Sequence, residues 1–587
     1  MAWVVSLFTI LSTLALSGAD EIRVPPSIVS PVEPQQLLYL QNDRVEVNCS
    51  ATGQPAPTYK WLWNGNDINS DYITFSATTG ILTMTSLTTR EEGLFVCYAK
   101  TTFSNAMTAT AVSAAVEIRV ARRFGDRYNN WVRSKTERGI RGKHKIVTRN
   151  AQVKSVEDFI KRPLAAYTGT EGNYVTIPCD KDLPKYYGAI TFKLYTARST
   201  RNEEVLTDER KFIDQRGNLH FSYVLKSDER VGNTTYKCAI SSTPTNVIRL
   251  GNENTLTVRS TGHIANSAPK LQYKTSGSFL TVEIGINATL QCVFSGYIAS
   301  SIPSETVPRV TWYDQDGRAI TQGGRYNITS NGKTLTIMNV TEDDEKIYHC
   351  RGTNSMGTAE GNLTLNVTSR PIWVKPLKST TVVQGKDAVL SCVTRSAKGE
   401  LSPSQPKWAL NTDQFGSFYD YNKYQFSADK TTLTVKSVNK DTDIACFQCT
   451  VANSVGVVHG DGCVNVITPI ELKVKPSAEQ SVNKGDVVDL TVEASTDPLY
   501  APNMTYSWIF KNVTYTGDKA PPYVTYDLVN KRAYINTSGL TDEEFKSIGG
   551  IYRRVISHPV ETVYVDVSVE TEHVPVGREK HVQWYFA

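Results

Sequence analysis

Ten cysteines, eight of them set as long and evenly repeated pairs, limit this chain more than any other feature of its sequence. Cys49 and Cys97 stand 48 residues apart, Cys179 and Cys238 59, Cys292 and Cys350 58, and Cys392 and Cys449 57. In an exported chain such pairs read first as disulfides, and this separation suits a β-sandwich bridged between its two sheets. The punctuation agrees. Gly172, Gly285 and Gly385 each lie seven residues before a first cysteine. A tryptophan follows as Trp61, Trp312 and Trp408, and an aromatic residue (Phe95, Tyr236, Tyr348, Phe447) stands two before each second cysteine. Along Thr289–Cys292 and Val389–Cys392, Leu and Cys share one face and polar residues the other, the alternation of a half-buried strand. The lone CxxC of Cys446 and Cys449 has no second pair at zinc spacing.

A further unit follows without cysteine. Gly485, Val492 and Trp508 repeat the intervals of Gly385, Cys392 and Trp408, and Tyr552 fills the corner position. The segment 475–571 therefore reads as a sandwich lacking its bridge. Closing a loop of this size is worth ~4 kcal/mol in the chain-entropy model, so this unit is expected among the less stable. Two cysteines remain. Pairing outward from the turn Asn453–Gly456 sets Cys446 opposite Cys463, on the face away from Ala445, Phe447 and Cys449. A second bridge, cross-strand and at the surface, is expected there.

At 587 residues the chain exceeds a single core. Its 29 Tyr and 18 Phe favour strands. Val4–Leu16 is an apolar run followed by the small residues Ser17, Gly18 and Ala19, which reads as a secretory signal over residues 1–19. No later stretch is long and apolar enough to span a bilayer, and the tail 572–587 is too polar for a lipid-anchor signal. A secreted or cell-surface location is the expectation. The remaining boundaries read as sandwiches at 23–120, 161–260, 268–368 and 370–474, with a linker at 121–160.

These residues resemble the immunoglobulin-superfamily adhesion proteins of the L1, neuroglian and contactin type, and the related secreted insect protein hemolin. The first unit runs Cys49-Ser-Ala-Thr-Gly-Gln-Pro-Ala-Pro-Thr-Tyr-Lys-Trp61, as those proteins open. The second carries their Gly-Asn-Leu-aromatic-Phe run as Gly217-Asn-Leu-His-Phe221, although its strand C shows Phe192-Lys-Leu-Tyr195 where a Trp is usual. Thr353-Asn-Ser-Met-Gly357 and Ala452-Asn-Ser-Val-Gly456 give the Asn-Ser-x-Gly hairpin of the family. The resemblance implies an all-β tandem array of five I-set-type sandwiches. It also implies that the first four fold back as a horseshoe, one against four and two against three, about the joint Thr261–Ala268. Its implied function is cell–cell adhesion through homophilic or heterophilic contacts with immunoglobulin-domain proteins. The alternative is a hemolin-like immune protein binding microbial surface polymers.

From Arg122 to Arg149 the linker is strongly basic: Arg122, Arg123, Arg127, Arg133, Lys135, Arg138, Arg141, Lys143, Lys145 and Arg149 stand against only Asp126 and Glu137. It reads as a solvated loop, as a site for heparan sulfate or another polyanion held by counterion release, or as a cleavable loop at Arg138–Arg141. A nucleic-acid partner does not fit an exported chain. Ten glycosylation sequons stand at Asn48, Asn233, Asn287, Asn327, Asn339, Asn362, Asn366, Asn503, Asn512 and Asn536. Six of them fall between Asn233 and Asn366, which argues against that face as a docking surface for a partner. The chain carries no HExxH, P-loop, dinucleotide fingerprint or GxSxG elbow. No cofactor, metal or enzymatic activity is expected.

Overall fold

The structure, a computed structural model, describes residues 21–121, 165–179, 190–198, 201–205, 207–242, 247–416, 419–516, 519–527 and 532–572. Its strands form where apolar residues alternate with polar ones. Gly93–Thr102 buries Phe95, Cys97, Ala99 and Thr101 and turns the intervening residues outward. The strands gather along the chain into successive two-sheet sandwiches.

In the first sandwich, Val45–Asn48, Ile81–Met84 and Ile73–Phe75 form one sheet. It faces Gln35–Leu40, Val116–Ala121, Gly93–Thr102, Thr58–Trp63 and Asn66–Asp67. One pairing recurs throughout: an early strand lies parallel to the last. This holds for Gln35–Leu40 with Val116–Ala121, Ala165–Thr170 with Val247–Arg259, and Thr281–Glu283 with Asn366–Thr368. It holds also for Thr380–Val383 with Val457–Ile467 and Glu479–Val482 with Glu561–Thr571. The strand Glu471–Val474 pairs with Glu493–Ser495, so the fifth sandwich starts before the boundary expected at 475. Pro469 ends the preceding strand at Ile467 because it has no N–H to continue the ladder.

Register places the tryptophan beside the bridge. Trp61 pairs with Cys97, Trp312 with Cys350 and Trp408 with Cys449. Each indole N–H donates to a carbonyl, of Gly80, Gly332 and Lys430 respectively. In the second sandwich the register sets Leu194 opposite Cys238 and Phe192 opposite Ile240, two residues away. Gly217, at φ +80°, passes so close that a Cβ would lie 2.3 Å from the Phe192 ring and 3.0 Å from Cys179 Sγ. The glycine of the Gly-Asn-Leu run is therefore sterically required. Corner tyrosines Tyr236, Tyr348 and Tyr552 donate to the carbonyls of Asp228, Asp344 and Ile548, while Phe95 and Phe447 only pack.

The fifth sandwich solves its missing bridge differently. Trp508 pairs with Arg554, the register position of a second cysteine. The Arg554 guanidinium carbon lies 4.6 Å from the Trp508 ring centroid and 5.0 Å from that of Tyr506. Its Nη1 donates to the Tyr526 hydroxyl at 2.7 Å. A cation held on aromatic faces thus stands where the other sandwiches hold sulfur. Val492, at the first-cysteine position, is half-buried, and the core there is filled by Leu490.

Candidate functional site

Two contacts fold the array back on itself, the first sandwich on the fourth and the second on the third. The first rests on a broken strand. The last strand of the first sandwich is interrupted at Ser113, so its leading half, Thr108–Val112, pairs only with Gly93–Thr102 and leaves one edge open. Open edges invite pairing with another chain, and side chains of the fourth sandwich occupy this one. Thr110 N donates to Asn411 Oδ1 at 3.0 Å, and Asn411 Nδ2 donates to Thr108 O at 3.0 Å. Gln448 Nε2 donates to Thr110 O at 3.2 Å, and Val112 N donates to Asp461 Oδ1 at 3.2 Å. Beneath this seam Phe103, Ala109 and Ala111 join the core of the fourth sandwich as one apolar cluster. Burying a Phe side chain contributes about 2–3 kcal/mol.

Cys446 and Cys463 are bonded across the strands Ala445–Ala452 and Val457–Ile467. The bridge is not at the surface, as the sequence had suggested. Both residues are at most 1% exposed, because the first sandwich sits on them, with Pro26 O 3.2 Å from Cys463 Sγ. Pointing away from one's own core exposes a side chain only when no other domain covers that face. The remaining bridges join Cys49–Cys97, Cys179–Cys238, Cys292–Cys350 and Cys392–Cys449.

Burial pushes the Asp461 carboxyl up to about 7, against hydrogen bonds from Gln448 Nε2 and Val112 N that favour its charged form.

The second contact is aromatic and charged. His220 of the Gly-Asn-Leu run packs on Tyr273 of the third sandwich with rings tilted by 35° and centroids 4.7 Å apart, and Tyr223 meets Tyr297 edge-on at 4.9 Å. Tyr223 OH donates to Thr306 Oγ1 at 2.8 Å. His220 Nε2 lies 2.9 Å from Asp214 Oδ2, and its Nδ1 lies 2.7 Å from Tyr174 OH. Burial alone would raise Asp214, but hydrogen bonds from His220 and Asn218 hold it below its ordinary value. Lys333 is buried with Nζ donating to Glu209 O at 2.6 Å, and burial pushes it down to about 8 despite Asp208 and Glu209 nearby.

The hairpin motif acts at the joints. Asn354 Nδ2 donates to Ser267 O, in the third sandwich's entering strand, and Asn453 Nδ2 to Ser369 O, in the joint ahead of the fourth.

Exposed side chains stand at Asn48, Asn233, Asn287, Asn339, Asn362, Asn366, Asn503, Asn512 and Asn536, with Asn327 half-buried. None of these belongs to either contact, and no sequon falls within 370–474. The stretch from Asn233 to Asn366 therefore holds part of an intrachain interface, with its sequons on other faces. The basic cluster, Arg122 through Arg149, lies outside the described residues. Among the described residues, no group of three or more His, Cys, Asp or Glu is placed to hold a metal, and no helix is long and apolar enough to cross a membrane. Sequence reasoning missed Asn411, Gln448, Asp461, Lys333 and Arg554. Only Arg554 left a trace, in its alignment with the cysteine register.

Residues 25–101 match the model of an immunoglobulin domain, and residues 272–367 that of the immunoglobulin I-set domain. The chain is 24% identical to human Contactin-4 over 508 residues, covering 84% of this chain and 41% of that protein. It is 24% identical to Drosophila melanogaster Neuroglian over 548 residues, covering 89% of this chain and 38% of that one. The chain thus spans about two-fifths of the length of these relatives. Among solved structures it is similar in fold to the insect immune protein hemolin, with a TM-score of 0.53 and 18% identity, covering 75% of this chain and 100% of that one. The chain thus carries immunoglobulin domains at 25–101 and 272–367, in a bridged tandem array, and is similar to Contactin-4 and Neuroglian.

Proposed function

We propose that this protein mediates cell–cell adhesion outside the cell, by contacts of its immunoglobulin domains with copies of itself or with related immunoglobulin-domain proteins. It acts by binding, without catalysis. The observation that carries this reading is the fourth sandwich, a protein surface with no sequon between residues 370 and 474. The likeness to Contactin-4 and Neuroglian supports it, as does the reported relevance of hemolin's domain arrangement to homophilic adhesion. Beads coated with the purified protein should aggregate. Failure to aggregate alone or with beads bearing other immunoglobulin-domain proteins overturns the reading.

The reading takes the chain as five sandwiches, exported by the signal at 1–19 and glycosylated at its sequons. In it the ten basic residues from Arg122 to Arg149 bind a sulfated glycosaminoglycan or microbial polyanion, whose affinity falls steeply with salt. Heparin affinity that is unchanged when Arg138, Arg141, Lys143 and Lys145 are neutralised would remove the polyanion site and leave the adhesion reading intact.

A further inference from the structure

The loop at 439–441 of the fourth sandwich is held from two sides. On one side Arg23 of the first sandwich, only 12% exposed, donates to Asp441 Oδ1 at 2.8 Å and to Lys440 O at 3.4 Å. Asn105 Nδ2 adds a bond to Asp441 O at 3.0 Å, and Glu21 Oε2 fixes Arg23 through Nε at 3.1 Å. On the other side Lys440 Nζ meets Asp497 Oδ2 of the fifth sandwich at 2.7 Å, with side chains 8% and 2% exposed. Asp497 also accepts from Thr468 N, in the joint between the two sandwiches, at 3.2 Å. The backbone of one residue, Lys440, thus receives the first sandwich while its side chain is buried in the fifth.

We propose that the fifth sandwich locks the first onto the fourth, with the buried Lys440–Asp497 pair holding the loop on which Arg23 and Asn105 dock. A buried ammonium keeps its place only while its counter-charge is there. Without Asp497 the Lys440 side chain turns to solvent, and the carbonyl and the Asp441 carboxylate that receive Arg23 move with it. The coupling is reciprocal: docking of the first sandwich favours the seated loop and so the fifth sandwich's hold on it. The fifth sandwich is then a clamp on the backfolded array.

Hydrogen exchange on the full chain tests this at Thr110 N and Val112 N, edge amides whose partners Asn411 and Asp461 belong to the fourth sandwich. Asp497→Asn should speed their exchange about tenfold, as should Arg23→Met, which cuts the dock directly. Reversing the pair, Lys440→Asp with Asp497→Lys, should return exchange toward that of the unaltered chain. Tyr552→Phe removes a corner bond within the fifth sandwich, away from the loop, and should leave Thr110 and Val112 unchanged. The Ile556 amide reports whether the fifth sandwich stays folded. Wild-type exchange at Thr110 and Val112 in Asp497→Asn overturns the clamp, whether or not Ile556 has lost protection. Equal acceleration by Tyr552→Phe also overturns it, since general loosening would then explain the effect.

Discussion

The two contacts that fold the array back do the same job with opposite chemistry. Between the first and fourth sandwiches, neutral amides of Asn411 and Gln448 cover an open strand edge above a Phe103 and alanine seam. Between the second and third, tyrosines pack around a buried Asp214–His220 pair and the buried Lys333. The first is mainly a hydrogen-bonded edge over an apolar seam, with the Arg23–Asp441 ion pair beside it. The second rests on desolvated charge, which is stable only while each partner stays in place. Their titratable groups also pull in opposite directions. Closure of the first contact raises Asp461 from its ordinary 3.8 to about 7, so closing takes up a proton. Closure of the second lowers Lys333 from 10.5 to about 8, so closing releases one.

The largest effect should come from Phe103→Ala, which leaves a cavity in the seam and costs about 3–5 kcal/mol if that contact is as tightly packed as the geometry shows. Thermal unfolding together with small-angle scattering should show a less stable and more open chain. An unchanged melting point would mean that the seam is peripheral. Replacing Cys446 and Cys463 together by Ala removes a crosslink spanning 17 residues and should cost ~3 kcal/mol in the fourth sandwich. The loss should also loosen Pro26, read as faster exchange in the first sandwich's opening strand.

The pH comparison comes next. The first contact is favoured fully below about pH 4, and this contribution is lost as pH rises through about 7, at most tenfold per unit. The second suffers its Lys333 penalty fully below about pH 8 and sheds it toward 10.5. Domain-resolved hydrogen exchange across this range should show opposite slopes, and Asp461→Asn should flatten only the first. Parallel slopes would refute the contrast. Smaller still, Tyr223→Phe removes one buried hydroxyl bond to Thr306 and should cost about 1 kcal/mol in the second contact alone. Least of all, Arg216→Ala removes an exposed cation–π contact over Phe279 at 5.5 Å and should cost about 0.5 kcal/mol.

Much of the fold is legible residue by residue. Trp61, Trp312 and Trp408, the corner aromatics and the strand alternation follow from local periodicity and from packing inside one sandwich, which a linear pattern records. Gly217 carries a steric demand that only glycine meets. What the pattern does not record is contact between sandwiches. Asn411, Gln448 and Asp461 look like any loop or strand polar residues until the open edge of Thr108–Val112 is placed against them. Arg554 is invisible as a packing residue because Arg ordinarily reads as solvent-exposed.

Cysteine spacing and hydrophobic alternation by themselves determined that this chain is a row of β-sandwiches, the first four of them bridged, because each sandwich buries its core with residues close in sequence. Tertiary structure alone decided that the Cys446–Cys463 bridge is covered, that Lys440 joins three sandwiches, and that Lys333 and Asp461 are desolvated. Burial there comes from surfaces of other sandwiches, from 57 to more than 400 residues away along the chain, and no local pattern carries the position of a distant neighbour.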